Sequence, residues 1–203
     1  CAAARRRPRE KKQRIRRRLS HVAPGTLLLV QDETDLLLFP PLRAAWAPVG
    51  QQATVRLSGY NAKRVLFGAL DLRTGTRYLR SRSRNRADDF CAFLTWLRTQ
   101  EPDRPILMLL DDGPSHTARK SRQTASELGI ELVPLPHRSP ELNPLESLWR
   151  LGKQVVCANR QYRDILDELL AVIDYLQGLS NAEALEKSGV LSPTFWLRHQ
   201  RSK

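Results

Sequence analysis

No apolar run in this chain approaches the ~20 residues needed to cross a bilayer, so a membrane-spanning helix is not expected. No secretory signal segment is visible. Cysteine is sparse: Cys1, Cys91 and Cys157 have no metal-type or redox-type spacing, which fits a reducing cytosol. No internal repeat occurs. Acidic residues are short, 21 Asp and Glu against 34 Lys and Arg, leaving a net charge of +13. Lysine is scarce as well, occurring only at 11, 12, 63, 120, 153, 187 and 203. The arginine bias fits either a GC-rich bacterial genome or the bidentate grip of guanidinium on phosphate. The chain begins at Cys1 rather than Met, which suggests a piece of a longer protein.

What is present is a 203-residue chain of ordinary apolar content (41%), long enough for one sizeable core. Its charge is unevenly placed. Residues 1–18 hold Arg5, Arg6, Arg7, Arg9, Lys11, Lys12, Arg14, Arg16, Arg17 and Arg18 against the single acid Glu10. The expected organisation is a basic arm or linker over 1–18 and one catalytic-type domain over 19–203. A basic block beside a folded domain points to a polyanion, most often nucleic acid. A solvated tail or a tether to anionic lipid is the plainer reading.

Apolar runs bounded by Pro and Gly predict strands at Thr26–Val30, Leu36–Phe39, Ala53–Leu57, Arg64–Leu70 and Thr76–Leu79. From Arg86 to Gln100 the period becomes helical, with Phe90, Phe93, Leu94 and Leu97 on one face. A buried strand, Ile106–Leu110, follows. Then come a helix at 117–128 stopped by Gly129, a strand at 130–135, and a Pro-rich loop to Pro144. Helices are expected at 144–157 and 161–177, and a short one from Asn181. Hairpins followed by helix–strand alternation imply an α/β fold, a mixed sheet flanked by helices.

Three acids sit where elements end: Asp32 after the first strand, Asp111 or Asp112 after Ile106–Leu110, and Glu146 at a helix start. Carboxylates converging on one cleft are hard ligands suited to Mg²⁺ or Mn²⁺, and a pair of such ions can cleave phosphodiesters. Each also has a plain structural reading. Asp32 and the Asp pair suit turns, and Asn143, Pro144 and Glu146 match a capping box. Strand alternation lets only one of Asp111 and Asp112 face the cleft squarely. Arg150 and Lys153, four and seven residues after Glu146, are expected to share its helix face and contact DNA. Trp46, Trp96 and Trp196 are read as packing residues.

"QDET" after an apolar strand, "LLDDGPSH" and "LPHRSPELNPLESLW" resemble the three acidic motifs of DDE transposases, specifically the mariner-like group and its bacterial insertion-sequence relatives. The 34 residues between Asp111 and Glu146 match the characteristic gap of that family, and "AAWAPVGQ" resembles its Trp-x-Pro-x-Gly segment. The resemblance implies an RNase H-like mixed β-sheet flanked by α-helices and DNA cleavage followed by strand transfer. It places Asp32, Asp111 and Glu146 as catalytic residues and ligands of two Mg²⁺ or Mn²⁺ ions. It favours Asp111 over Asp112, because the family carries Asn after its second Asp. His116 matches the motif histidine and is expected to contact DNA or orient a ligand.

The implied partners are DNA, both transposon ends and a TA-containing target, with a homodimer left open. The implied setting is the bacterial cytoplasm at the nucleoid. The family's N-terminal helix-turn-helix module has no counterpart here; the basic residues of 1–18 resemble the linker after it, a DNA-binding segment. Two other readings compete: a general metal-dependent nuclease, and a DNA-binding copy without catalysis.

Overall fold

The computed structural model describes residues 2–137 and 139–198, with side chains from Glu10 onward. Five strands form one sheet in the order β3-β2-β1-β4-β5. They are β1 (Leu27–Leu37), β2 (Lys63–Asp71), β3 (Arg77–Arg82), β4 (Ile106–Leu110) and β5 (Ile130–Pro134). β1, β2 and β3 pair antiparallel, whereas β4 lies parallel to β1 and β5 parallel to β4. The expected mixed sheet is therefore present.

Strand alternation divides the core into two layers. Leu28, Val30, Leu36, Leu66, Leu70, Leu107 and Leu109 face one side. There they meet α5 (Leu145–Gly152) and α6 (Ile165–Gly178) through Leu145, Leu148, Trp149, Leu169 and Leu176. Leu27, Leu29, Val65, Phe67, Met108 and Leu110 face the other. They meet α2 (Ala87–Gln100), whose buried Phe90, Phe93, Leu94 and Leu97 form the expected stripe.

Several expectations change. The first two expected strands are one: β1 continues through the polar stretch Gln31–Asp35, because β2 pairs with it from Leu29↔Asp71 to Leu37↔Lys63. Asp32 is thus inside a strand, not at its end. Its pairing with β4, however, stops at Val30↔Leu109, so Asp32 lies just past the last rung on that side. The expected strand at Ala53–Leu57 does not form. Residues 38–62 are an irregular connection punctuated by Pro40, Pro41, Pro48, Gly50 and Gly59. Trp46, read as a packing residue, is fully exposed there.

The helix expected at 117–128 is split into α3 (Pro114–Thr117) and α4 (Arg119–Glu127), because Ala118 is extended between them. Gly129, at φ +63°, ends α4 as expected. The helix expected at 144–157 narrows to α5, followed by a π turn at Lys153–Cys157. A short α7 (Asn181–Lys187) starts at a Ser180–Glu183 capping box. Residues 2–20 are helical, forming α1 (Ala2–Ser20). Ile15 and Leu19, one turn apart on α1, are buried in the first core layer.

Candidate active site

Asp32, Asp111 and Glu146 line one cavity of about 310 Å³, together with Asp112, His137, Ser139 and Asn143. The sheet register explains the first two. Val30 faces Leu109 across parallel strands, and two further residues along each chain bring Asp32 and Asp111 to the same side.

Glu146 comes from α5, which is fastened to β1 at two points. Buried Asn143 donates its side-chain amide to the Gln31 carbonyl (3.1 Å) and accepts from the Leu145 N–H (3.1 Å). Trp149 donates its indole N–H to Asp32 Oδ2 at 3.1 Å. That indole lies over Gly68, the residue opposite Asp32 on β2, where an added Cβ would overlap the ring. Glycine at 68 is therefore what lets Trp149 reach Asp32. Among the described residues, the Glu146 carboxylate has no hydrogen-bond partner, so it does not close the capping box that the sequence allows.

The carboxylates are electrostatically unequal. Asp32 is pushed up to about 8, chiefly by burial and then by the charges of Glu146 and Glu33. Asp111 is held below its ordinary value by its hydrogen bond with His116; burial opposes this, and the Gly113 N–H at 2.8 Å assists.

His116 is buried, with Nδ1 2.6 Å from Asp111 and Nε2 2.7 Å from Glu33. Burial pulls its pKa down, but the two carboxylates more than offset this and raise it to about 10. The imidazole is thus an imidazolium donating in both directions, packed edge-on against Phe90. Both ring nitrogens are occupied, so of the two expected roles the geometry favours orienting Asp111 over touching DNA. Glu33 is a carboxylate that sequence reasoning passed over, although it belongs to "QDET". Alternation turns it to the face opposite Asp32, where Gln31 Nε2 donates to it at 2.9 Å, and its charged partner is 83 residues away.

Asp112 does not receive N–H groups from the following turn; the Gly113 N–H goes to Asp111. Instead Asp112 pairs with Lys11 of α1 at 3.1 Å. Arg16 Nε donates to the Trp196 carbonyl (2.9 Å) and Arg18 pairs with Glu131. Arg14 and Arg17 are exposed, with no side-chain partner among the described residues. The side chains of Arg5, Arg6, Arg7 and Arg9 lie outside the described residues. Lys12 and Arg150 line a larger groove that also includes Glu146. Lys153 does not line that groove; it lines a separate cavity with Asp35, Phe39, Cys157 and Glu168.

A sequence profile described as DDE superfamily endonuclease matches residues 27–169. The insertion element IS630 uncharacterized 39 kDa protein of Shigella sonnei is 28% identical over 176 residues, covering 84% of this chain and 50% of that protein. This chain therefore spans half the length of that curated relative. Among solved structures, the mariner Mos1 paired-end complex with Mg aligns with a TM-score of 0.72 at 19% identity, over 96% of this chain and 61% of that one. The catalytic domain of Mos1 mariner transposase aligns with a TM-score of 0.64 at 16% identity, over 96% and 92% of the two chains. These likenesses show the fold to be RNase H-like.

Proposed function

This chain belongs to the DDE superfamily endonucleases, and we propose that it is the catalytic domain of a transposase, cutting DNA and joining a freed 3′-hydroxyl to a target strand. The observation that carries this reading is the convergence of Asp32, Asp111 and Glu146 on one cavity from three separate elements.

The donor set suits a divalent cation. It consists of carboxylates alone, the hard oxygen ligands that Mg²⁺ and Mn²⁺ prefer. Among the described residues no three acidic, histidine or cysteine side chains stand close enough to hold an ion as they are. Asp32, Asp111 and Glu146 are the residues that would hold it. When bound, such ions activate the attacking oxygen and stabilise the leaving one. The residues around the carboxylates have their own tasks. Trp149 and Asn143 fix Asp32 relative to Glu146. The His116 imidazolium turns one Asp111 oxygen inward, leaving the other oxygen for the cavity.

DNA is the proposed substrate. The family, the net charge of +13, and Arg14, Arg17, Lys12 and Arg150, which have no side-chain partner among the described residues, support it. The test uses purified protein, a substrate with a precut 3′ end, and Mn²⁺ or Mg²⁺. Joined products that disappear with EDTA support the transposase reading. Hydrolysis without joining would instead indicate a nuclease. No metal-dependent reaction, with DNA binding retained, would indicate a binding protein.

A further inference from the structure

Among the described residues, four acids line the carboxylate cavity: Asp32, Asp111, Glu146 and also Asp112. The last is engaged from a distant part of the chain, where Lys11 Nζ donates to Asp112 Oδ2 at 3.1 Å across 101 residues of sequence. We propose that Lys11 is a specificity-determining residue of the metal site: its ammonium holds Asp112 out of the donor set, so that the cavity offers three carboxylates and favours Mg²⁺ or Mn²⁺ over Ca²⁺. The proposal rests on the metal reading of the cavity and adds to it the means by which one cation is chosen over another.

The helix that carries Lys11 places it for this task. Lys11, Ile15 and Leu19 recur every four residues, so they share one face of α1. Ile15 and Leu19 are buried in the core layer that also holds Leu107 and Leu109 of β4. Arg16 Nε donates to the Trp196 carbonyl at 2.9 Å and Arg18 Nε to Glu131 at 2.7 Å, which fastens the helix on both sides of that stripe. With the two apolar residues seated, the stripe's next residue, Lys11, meets Asp112 just past the end of β4. The two side chains are only 25% and 32% exposed, so salt screens the pair less than it would on open surface. Asp112 has no other side-chain partner among the described residues.

The two adjacent aspartates are thus held by different cations. On Asp111, His116 Nδ1 and the Gly113 N–H both engage Oδ1, at 2.6 and 2.8 Å, which leaves Oδ2 for the cavity. On Asp112 the ammonium takes Oδ2 and sets a positive charge beside the cavity. The coordination habits of the ions make this consequential. Ca²⁺ takes about six to eight oxygens in flexible geometry, whereas the smaller Mg²⁺ keeps several waters and uses one or two carboxylates. A fourth carboxylate released into the cavity therefore serves the larger ion more than the smaller one. Loss of a nearby positive charge by itself would raise the affinity for both alike, because both ions carry the same charge.

The test titrates Mn²⁺ into the protein by calorimetry and then displaces it with Mg²⁺ or with Ca²⁺, which gives the ratio of Ca²⁺ to Mg²⁺ affinity. The variants are Lys11→Met, which keeps the length of the side chain without its charge, Lys11→Arg, Asp112→Asn, and Lys11→Met combined with Asp112→Asn. Chemical unfolding is run on each; a partly exposed ion pair is worth too little for its loss to unfold the chain. Lys11→Met should raise the ratio by about tenfold or more, since Ca²⁺ affinity grows with the number of charged ligands. Lys11→Arg keeps the pair, and Asp112→Asn has no fourth carboxylate to release, so both should retain the wild-type ratio, as should the double variant. An unchanged ratio in Lys11→Met, or a raised ratio that persists in the double variant, overturns the proposal and leaves the metal reading standing. If the wild type binds none of the three ions, both are overturned.

Discussion

The Nδ1 atom of buried His116 lies 2.6 Å from Asp111 Oδ1, so a cavity carboxylate is oriented by a cation from behind. Glu33, 2.7 Å from the other ring nitrogen, holds that cation in place. Removing a group that orients a metal-binding carboxylate typically costs 10–100-fold in metal affinity or activity. Glu33→Gln should therefore lower Mn²⁺ affinity by about that factor although Glu33 does not line the cavity. His116→Ala should cost more. It leaves Glu33, only 9% exposed at its side chain, without its cation, and loss of one partner of a buried pair costs about 3–5 kcal/mol. Chemical unfolding and Mn²⁺ titration of both variants check this.

Asp32 gives the metal-free protein a pH dependence. Its pKa is raised to about 8 in the fold, against about 3.9 in an unfolded chain. The folded state thus holds that proton more tightly. The stability this contributes is complete below about pH 3.9 and is lost as pH rises through about 8. The difference in Tm between wild type and Asp32→Asn should therefore turn against the wild type as pH rises from 5 to 9 without metal. Saturating Mn²⁺, which takes the place of the proton, should reverse that trend for the wild type. A Tm difference independent of pH would show that Asp32 is not a crowded carboxylate.

Gly68 is a third point of control. A methyl group there meets the Trp149 ring, which carries the hydrogen bond to Asp32 and lies three residues from Glu146. Overpacking of this kind costs about 1–3 kcal/mol. Gly68→Ala should lose that stability and also quench activity, because displacing Trp149 shifts Asp32 and Glu146 together. Unfolding and cleavage measured on the same preparation show whether the two losses occur together.

Much of this arrangement is legible in the sequence, and the rest is hidden for physical reasons. β4 is readable because five successive apolar residues leave little choice but a strand buried on both faces. The α2 stripe is readable from its period. β1 is not, because Gln31–Asp35 looks like a polar turn. Only pairing with β2, some 35 residues on, keeps it extended. The pairing of Glu33 with His116 is equally non-local. The docking of α1 is masked by its ten basic side chains, although Ile15 and Leu19 do carry a helical spacing. Asp111 and Glu146 were legible because their motifs and their separation resemble those of a known family. Glu146 reads equally well as a cap, and only in three dimensions is its carboxylate seen to have no hydrogen-bond partner among the described residues.

The two adjacent aspartates differ in what surrounds them. Asp111 is aligned with Asp32 and held by His116, whereas Asp112 pairs with Lys11. Asp111→Asn should abolish metal-dependent activity. Asp112→Asn should keep most of it and change stability by no more than about 1 kcal/mol, the usual worth of a partly exposed ion pair. Cleavage and unfolding of the two variants provide the comparison. Loss of activity in Asp112→Asn with retention in Asp111→Asn would move the ligand by one residue.

The most direct measurement is the Mn²⁺ dissociation constant of the protein without DNA, by calorimetry, for wild type, Asp32→Asn, Asp111→Asn and Glu146→Gln. If the three carboxylates hold one divalent site, each single substitution weakens Mn²⁺ at least tenfold while the protein stays folded. Wild-type affinity in Glu146→Gln would contradict this, leaving Glu146 a residue of the α5 terminus and the cavity no metal site.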